Sequence, residues 1–180
     1  MLPNRAVIQG RDAWRYRGDE RPSFADPCHE GQESVWDYPR PPRIERMSAR
    51  VEVFTSEEVC VASTRSAVRV CETASAPTWY IPPEDVNESL VVYDGGQSLC
   101  EWKGLAQGLS VGAVAEAGWR YTRVFEEFAE LHLWCAFYPA KLRCFIDGER
   151  VSPQPGGYYG GWVTRNMTGP IKGEPGSPSW

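Results

Sequence analysis

Prolines and glycines crowd both ends of this sequence and leave a period-two stretch between them, a distribution that restricts the fold more than any other feature. Residues 1–49 carry six prolines, among them the run Tyr38-Pro-Arg-Pro-Pro-Arg43. Proline fixes φ and removes an amide donor, so this segment predicts extended chain without long helices or central strands. Residues 153–180 carry seven glycines and five prolines in 28 positions, which again disfavours regular elements. Neither end reads as a free tail. Trp14, Tyr16, Trp36 and Tyr38 at one end, and Tyr158, Tyr159, Trp162 and Trp180 at the other, are costly to leave in water and predict packing against the body. The expected organisation is an irregular arm over 1–49, a β domain over 50–152 and a docked tail over 153–180.

Within the central stretch, Val51 and Val53 alternate with Glu52, and Val59-Cys-Val61 and Val68-Arg-Val70 repeat the alternation, the signature of short half-buried strands. Thr78-Trp-Tyr-Ile81 adds a β-branched and aromatic run that stops at Pro82-Pro83, Glu84 to Leu90 suits one helical turn, and Leu90 to Tyr93 resumes the sheet. Asp94-Gly95-Gly96 supplies positive φ and predicts that the strand before it pairs with Ser98 to Trp102. Asp147-Gly148 lies between Leu142-Arg-Cys-Phe-Ile146 and Glu149-Arg-Val151, which predicts a hairpin with a type I′ turn. Val124, Phe125, Phe128 and Leu131 recur near helical spacing and predict one short helix over 123–131. The fold class is mainly β, a small antiparallel sheet or barrel-like body.

A chain of 180 residues suits a single domain with its own core. A net charge of −5, with only three lysines and no basic run, disfavours a phosphate backbone as partner. Charges interrupt every apolar run, so no membrane span is expected. Residues 1–10 lack the apolar core of a signal peptide, and a cytoplasmic location follows as the expectation. The six cysteines then read as reduced thiols. A homodimer joined through aromatics of the arm and tail is compatible with this composition.

The stretches Arg69-Val-Cys-Glu-Thr73, Tyr80-Ile-Pro82, Cys100-Glu-Trp-Lys-Gly104, Gly118-Trp-Arg-Tyr121 and Ala136-Phe-Tyr138 follow one another in a recognisable order. With them the chain resembles the family called domain of unknown function 427, some members of which carry a nucleotidyltransferase-like label. The likeness extends to Glu33-Ser-Val-Trp-Asp-Tyr-Pro-Arg-Pro-Pro-Arg43 and to Pro153-Gln-Pro-Gly-Gly-Tyr-Tyr-Gly-Gly-Trp162, both typical of long members. The resemblance implies a β-tent fold like that of methionine sulfoxide reductase B and Mss4, and implies no agreed function. Ser75 stands where many relatives have the histidine of a Ser-His-Pro-Pro run, and Thr122 stands where a proline is usual.

Several proteins of that fold hold zinc through two Cys-x-x-Cys pairs. Here successive cysteines lie 32, 11, 29, 35 and 9 positions apart, so no metal site and no cofactor are expected. Nucleotidyl transfer needs carboxylates converging on Mg²⁺ beside a phosphate cradle, and neither Gly156-Gly157 nor Gly160-Gly161 is followed by the lysine and helix of a phosphate loop.

Glu72 is the leading candidate base, because a carboxylate among Val68, Val70 and Cys71 suits proton abstraction. The plainer alternative is an ion pair with Arg69 or Lys103. Lys103, between Trp102 and Gly104, suits either a pairing role or contact with an anionic group, and with Tyr80 it would stabilise developing negative charge. Cys100 reads as a weak nucleophile or a small buried hydrophobe. Arg69, Thr73, Cys100, Trp102, Trp119, Tyr121 and Tyr138 complete the expected ligand-binding set, although each aromatic singly also fits a core position. The function expected is a metal-independent small-molecule enzyme performing acid/base proton transfer of isomerase, cyclase or lyase type in an aromatic-lined pocket. The alternative is a non-catalytic small-molecule binding module or sensor.

Overall fold

The computed structural model describes residues 3–177 and 180. In the arm, helix α1 (Arg5–Asp12) is followed by β1 (Glu33–Ser34) and β2 (Arg43–Arg46). The body begins with β3 (Val51–Phe54), β4 (Cys60–Thr64), β5 (Val68–Cys71) and β6 (Thr78–Tyr80). It continues with β7 (Val91–Val92), β8 (Gln97–Cys100), β9 (Gly104–Val111), β10 (Val114–Val124), β11 (Cys135–Phe137), β12 (Arg143–Ile146) and β13 (Glu149–Arg150). The pairs β14 (Ser152–Pro153) with β15 (Trp162–Val163), and β1 with β16 (Met167–Thr168), tie down the tail, the second pair running parallel.

Three sheets build the body. β2-β5-β6 is antiparallel, β13-β12-β3-β4 lies in a second sheet, and β11-β10-β9-β7, with β8 also on β9, forms the third. Ile81 and Cys135 exchange main-chain hydrogen bonds of 2.8 and 3.0 Å and so join the first and third sheets. The chain is mainly β, and it forms several small antiparallel sheets without closing into a barrel. The principal core, with Val51, Val53, Leu109, Phe137 and Trp162 at full burial, packs between sheets. A second cluster gathers Tyr80, Trp102, Tyr121, Phe128 and Leu131.

The hairpin of β12 and β13 turns at Asp147 (φ 46°) and Gly148 (φ 82°), the two left-handed residues that a type I′ turn demands. Two local expectations are corrected. Neither strand flanking Asp94-Gly95-Gly96 pairs with the other, because both β7 and β8 pair with β9. Gly95 and Gly96 do not reverse the chain into a hairpin but lie along Gly108. Gly95 donates to the Gly108 carbonyl at 3.1 Å, and the Gly108 amide donates to Gly96 at 2.9 Å. A Cβ on Gly95 would stand 2.7 Å from the Gly108 Cα, so the approach requires glycine.

The helix expected over 123–131 is shorter, and it is 3₁₀ in place of α. Arg123 and Val124 stay in β10, opposite Leu105 and Gly104, and 3₁₀ turns occupy Glu126–Leu131. Phe125, Phe128 and Leu131 are the buried positions, a spacing of three that suits a 3₁₀ turn. The α-helix lies instead in the arm, in the proline-free run after Pro3, where Asn4 caps it by accepting from the Val7 amide at 3.1 Å.

Gly118 in β10 faces Ala136 of β11 so closely that a Cβ would collide with the Ala136 carbonyl oxygen. Gly118→Ala is therefore expected to cost about 1–3 kcal/mol, since backbone on both sides cannot yield. Thermal unfolding measures it, and an unchanged midpoint would refute the contact.

Candidate functional site

A cavity of about 720 Å³ opens where the β2-β5-β6 sheet meets the β9 and β10 strands, with the tail across its mouth. Small residues make the space: Ala106, Gly108 and Gly118 project nothing large from β9 and β10. Aromatic rings wall it. Trp119 and Tyr138 have ring centroids 4.7 Å apart, and Tyr80 stands 6.3 Å from Trp119 and 6.1 Å from Tyr121. The arm contributes Trp14, whose indole N–H donates to Glu101 Oε1 at 2.8 Å.

Glu72, just past β5, is the charged centre of one wall. Its Oε1 accepts from Arg40 Nε at 3.2 Å, and its Oε2 lies 3.5 Å from the Lys103 ammonium. Arg40 is also held by two further acceptors: it donates to the carbonyls of Tyr16 at 2.8 Å and Thr73 at 3.0 Å, and its side chain has no exposed area. Burial lowers the Arg40 pKa, opposed by the Glu72 charge. For Lys103, burial also acts to lower the pKa, but the surrounding Cys100, Glu72, Tyr80 and Glu101 outweigh it and hold the ammonium charged.

Tyr80 is completely buried, and among the described residues its hydroxyl meets no hydrogen-bond partner of ordinary geometry, although Tyr121 and Trp119 stand beside it. Burial pushes its pKa up to about 12, so the phenol stays protonated at neutral pH. Burial pushes Tyr121 upward in the same way, reinforced by Tyr80 and Cys100. The buried indole N–H of Trp102 also lacks a partner among the described residues. Unpaired buried donors are uncommon and each is expensive, which makes their presence at one cavity informative.

Of the residues singled out from the sequence, Glu72, Lys103, Tyr80, Cys100, Trp102, Trp119, Tyr121 and Tyr138 line this cavity. Arg69 and Thr73 do not, and their ligand-binding assignment is corrected by strand alternation. Val70 and Glu72 face the cavity from β5 and its end, so Arg69 and Thr73 turn to the arm. There Arg69 pairs with Glu33 and Glu45, both at 2.7 Å, and the Thr73 hydroxyl donates to the Tyr38 carbonyl at 2.6 Å. The ion pair considered between Glu72 and Arg69 is thereby replaced by one with Arg40.

Packing of Trp14 against the body was expected from its aromatic ring, whereas two other residues of the site, Arg40 and Lys172, had no sequence signal of burial. Lys172 is only 2% exposed. Its amide donates to the Ala74 carbonyl at 2.7 Å and its carbonyl accepts from Gln154 Nε2 at 2.8 Å, which fixes its backbone against the body. Its ammonium donates to the Trp180 main-chain oxygen at 3.1 Å and sits 3.5 Å from the Trp14 ring centre. Burial, helped by the Arg40 charge, pushes its pKa down to about 8. A lysine inside a Gly/Pro-rich tail follows no periodicity, so no pattern could have placed it.

Residues 43–148, more than half of the chain, match the family described as Domain of unknown function (DUF427). The chain belongs to the DUF427 family. The DUF427 segment supplies Glu72, Tyr80 and Lys103, whereas Trp14, Arg40 and Lys172 lie outside the matched residues. No curated protein matches the chain in sequence. Among the described residues of this DUF427 member, no three His, Cys, Asp or Glu side chains converge as a metal-binding group, and all six cysteines are free thiols. No helix among them is long and apolar enough to cross a membrane.

Proposed function

We propose that the cavity binds a small organic molecule and moves a proton on it, in a metal-independent reaction of isomerase, cyclase or lyase type. The observation that carries this reading is the half-buried Glu72–Lys103 pair beside the unpartnered Tyr80 hydroxyl, within an aromatic-walled space. Arg40 holds one oxygen of Glu72 by a hydrogen bond. The other oxygen makes a charge contact with Lys103 at 3.5 Å, beyond ordinary hydrogen-bond length, and so keeps lone pairs for a substrate proton. Lys103 and the protonated Tyr80 then stabilise negative charge that develops on the substrate when the proton leaves.

The double cation contact of Glu72 favours a second reading, a non-catalytic binding module or sensor that uses the same walls. One pair of measurements separates the two. Native mass spectrometry of protein purified from its own host is expected to reveal a co-purifying small molecule. Glu72→Gln, which preserves an oxygen for Arg40, is expected to retain that molecule while slowing its conversion by about 10²-fold or more. Unchanged conversion would remove Glu72 from the chemistry, and no conversion by the unaltered protein would leave the binding module. A homodimer remains part of this proposal through Phe24 and Tyr158, which are 43% and 77% exposed, while Trp36 and Tyr38 are spent inside the protein.

A further inference from the structure

Of the six free cysteines, Cys100 is the one that lines the cavity, and it is half-buried there, whereas Cys71, Cys135 and Cys144 lie in the core. Burial pushes the thiols of Cys71 and Cys135 up to about 12 and about 11, so both stay protonated at neutral pH. Cys100 ends β8 directly opposite Gly104 of β9, so no side chain stands across from its own. The tight turn between the two strands carries Lys103, which brings a thiol and an ammonium to one end of the cavity. Burial acts to discharge Lys103, and Cys100 leads the groups that keep it an ammonium, ahead of Glu72.

A second group at the same end of the cavity has no partner of its own. The Tyr80 hydroxyl is wholly buried, meets no acceptor of ordinary geometry among the described residues, and has Lys103 and Cys100 as the charges that act on it. Lys103 is also unspent as a donor, because its contact with Glu72 is 3.5 Å long. Reactive thiols are found in partly exposed, electropositive places, and sulfur is a soft nucleophile. Beside two free donors it suits one event: addition to a polarised carbon–carbon double bond, with the displaced electron pair received on oxygen. We propose that Cys100 adds to the β-carbon of an α,β-unsaturated carbonyl ligand whose oxygen is received by Lys103 and Tyr80. This rests on the reading of the cavity as a small-molecule site and gives that site its substrate class.

In that step the thiol S–H bond breaks and an S–C bond forms. The π pair of the double bond moves to the carbonyl oxygen, and Lys103 and Tyr80 stabilise the resulting enolate. The thiol proton is passed to the α-carbon, under the reading above by way of Glu72, whose free oxygen faces the same ammonium. Nothing is oxidised or reduced overall, and the adduct is a thioether. The reverse step expels the thiol and restores the alkene. Rotation about the α–β bond before that expulsion makes the net change an isomerisation. A conjugated acceptor is planar, which suits the ring faces of Trp119 and Tyr138.

The test compares two reagents at each cysteine of the unaltered protein, read by peptide mapping. Benzalacetone, a planar aryl enone, gathers charge on oxygen as sulfur adds. Methyl methanethiosulfonate labels a thiol without doing so and reports access and ionisation alone. The ratio of the enone rate to the thiosulfonate rate is expected to be at least about tenfold higher at Cys100 than at the exposed Cys60, since fixed donors lower only the enone barrier. Tyr80→Phe is expected to lower that ratio by about tenfold at Cys100 and to leave it unchanged at Cys60. Equal ratios at the two cysteines overturn the inference, and so does a Cys100 that neither reagent labels. A ratio at Cys100 that survives Tyr80→Phe overturns the place given to the ligand oxygen. Because the two cysteines are compared within the unaltered protein, a Tyr80→Phe chain that fails to fold does not spoil the test. Failure at Cys100 leaves Glu72 and the cavity to be judged by the co-purifying molecule, so the two readings fall separately.

Discussion

Glu72→Ala is expected to destabilise the protein by about 3–5 kcal/mol, because it strands two buried cations at once. The Arg40 side chain is wholly buried and that of Lys103 is 12% exposed, and Glu72 is the carboxylate that lies against both. Removing one partner of such a group exposes the full desolvation cost of the others, which is larger than the net worth of the intact cluster. Arg40 also fastens the arm to the end of β5 through Tyr16 and Thr73, so the loss should loosen that junction too. Urea denaturation measures the effect as a lower midpoint at constant slope. Glu72→Gln, which still offers Arg40 an acceptor, should lose less. A loss below about 1 kcal/mol for Glu72→Ala would mean that water reaches these groups and that the cluster is an ordinary solvated pair.

Trp162→Ala should be of similar size, about 3–5 kcal/mol. The residue comes from the Gly/Pro-rich tail, yet it has no exposed surface. Its ring lies 6.2 Å from that of Trp79, and its indole N–H donates to the Phe137 carbonyl at 3.0 Å. Alanine removes the largest part of that packing and leaves a buried carbonyl unpaired. Trp162→Phe keeps most of the ring and loses the hydrogen bond, for an expected cost near 1 kcal/mol. Calorimetric melting of both variants gives the comparison. A Trp162→Ala protein that melts with the parent would show that the tail contributes nothing to the core.

Strands whose valines alternate with polar residues were legible, as in β3 and β5, and so was the Asp147-Gly148 turn, because local chemistry alone determines them. The longest hairpin, β9 with β10, was not legible as such. On the cavity face of β9 stand Ala106 and Gly108, opposite Tyr121 and Trp119, and on the other face of β10 Gly118 lies close against the backbone of β11, and these small residues erase the period-two signal. The segment after it misled for a related reason: a repeat of three and a repeat of 3.6 look alike over seven residues. Much of the cavity wall was readable from aromatic and charged residues inside the strands. The error over Arg69 and Thr73 came from treating a contiguous motif as one surface, when adjacent strand residues point to opposite faces. Arg40 and Lys172 were out of reach of any pattern, since their burial is created by irregular segments meeting far along the chain.

The parallel pairing of β1 with β16 brings residues 33–34 against 167–168, and beside it Trp14 meets Lys172. During synthesis the ribosome therefore releases every strand of the three sheets before the lysine emerges, and the nascent chain holds a scaffold with an unfinished site. Under the proposed reading, the part of the cavity wall that Gln154, Tyr159 and Lys172 supply is completed only with the last stretch of polypeptide. Whatever free energy binding releases is added to the docking of that stretch, so a saturating ligand should guard the tail against proteases more than it guards the sheets.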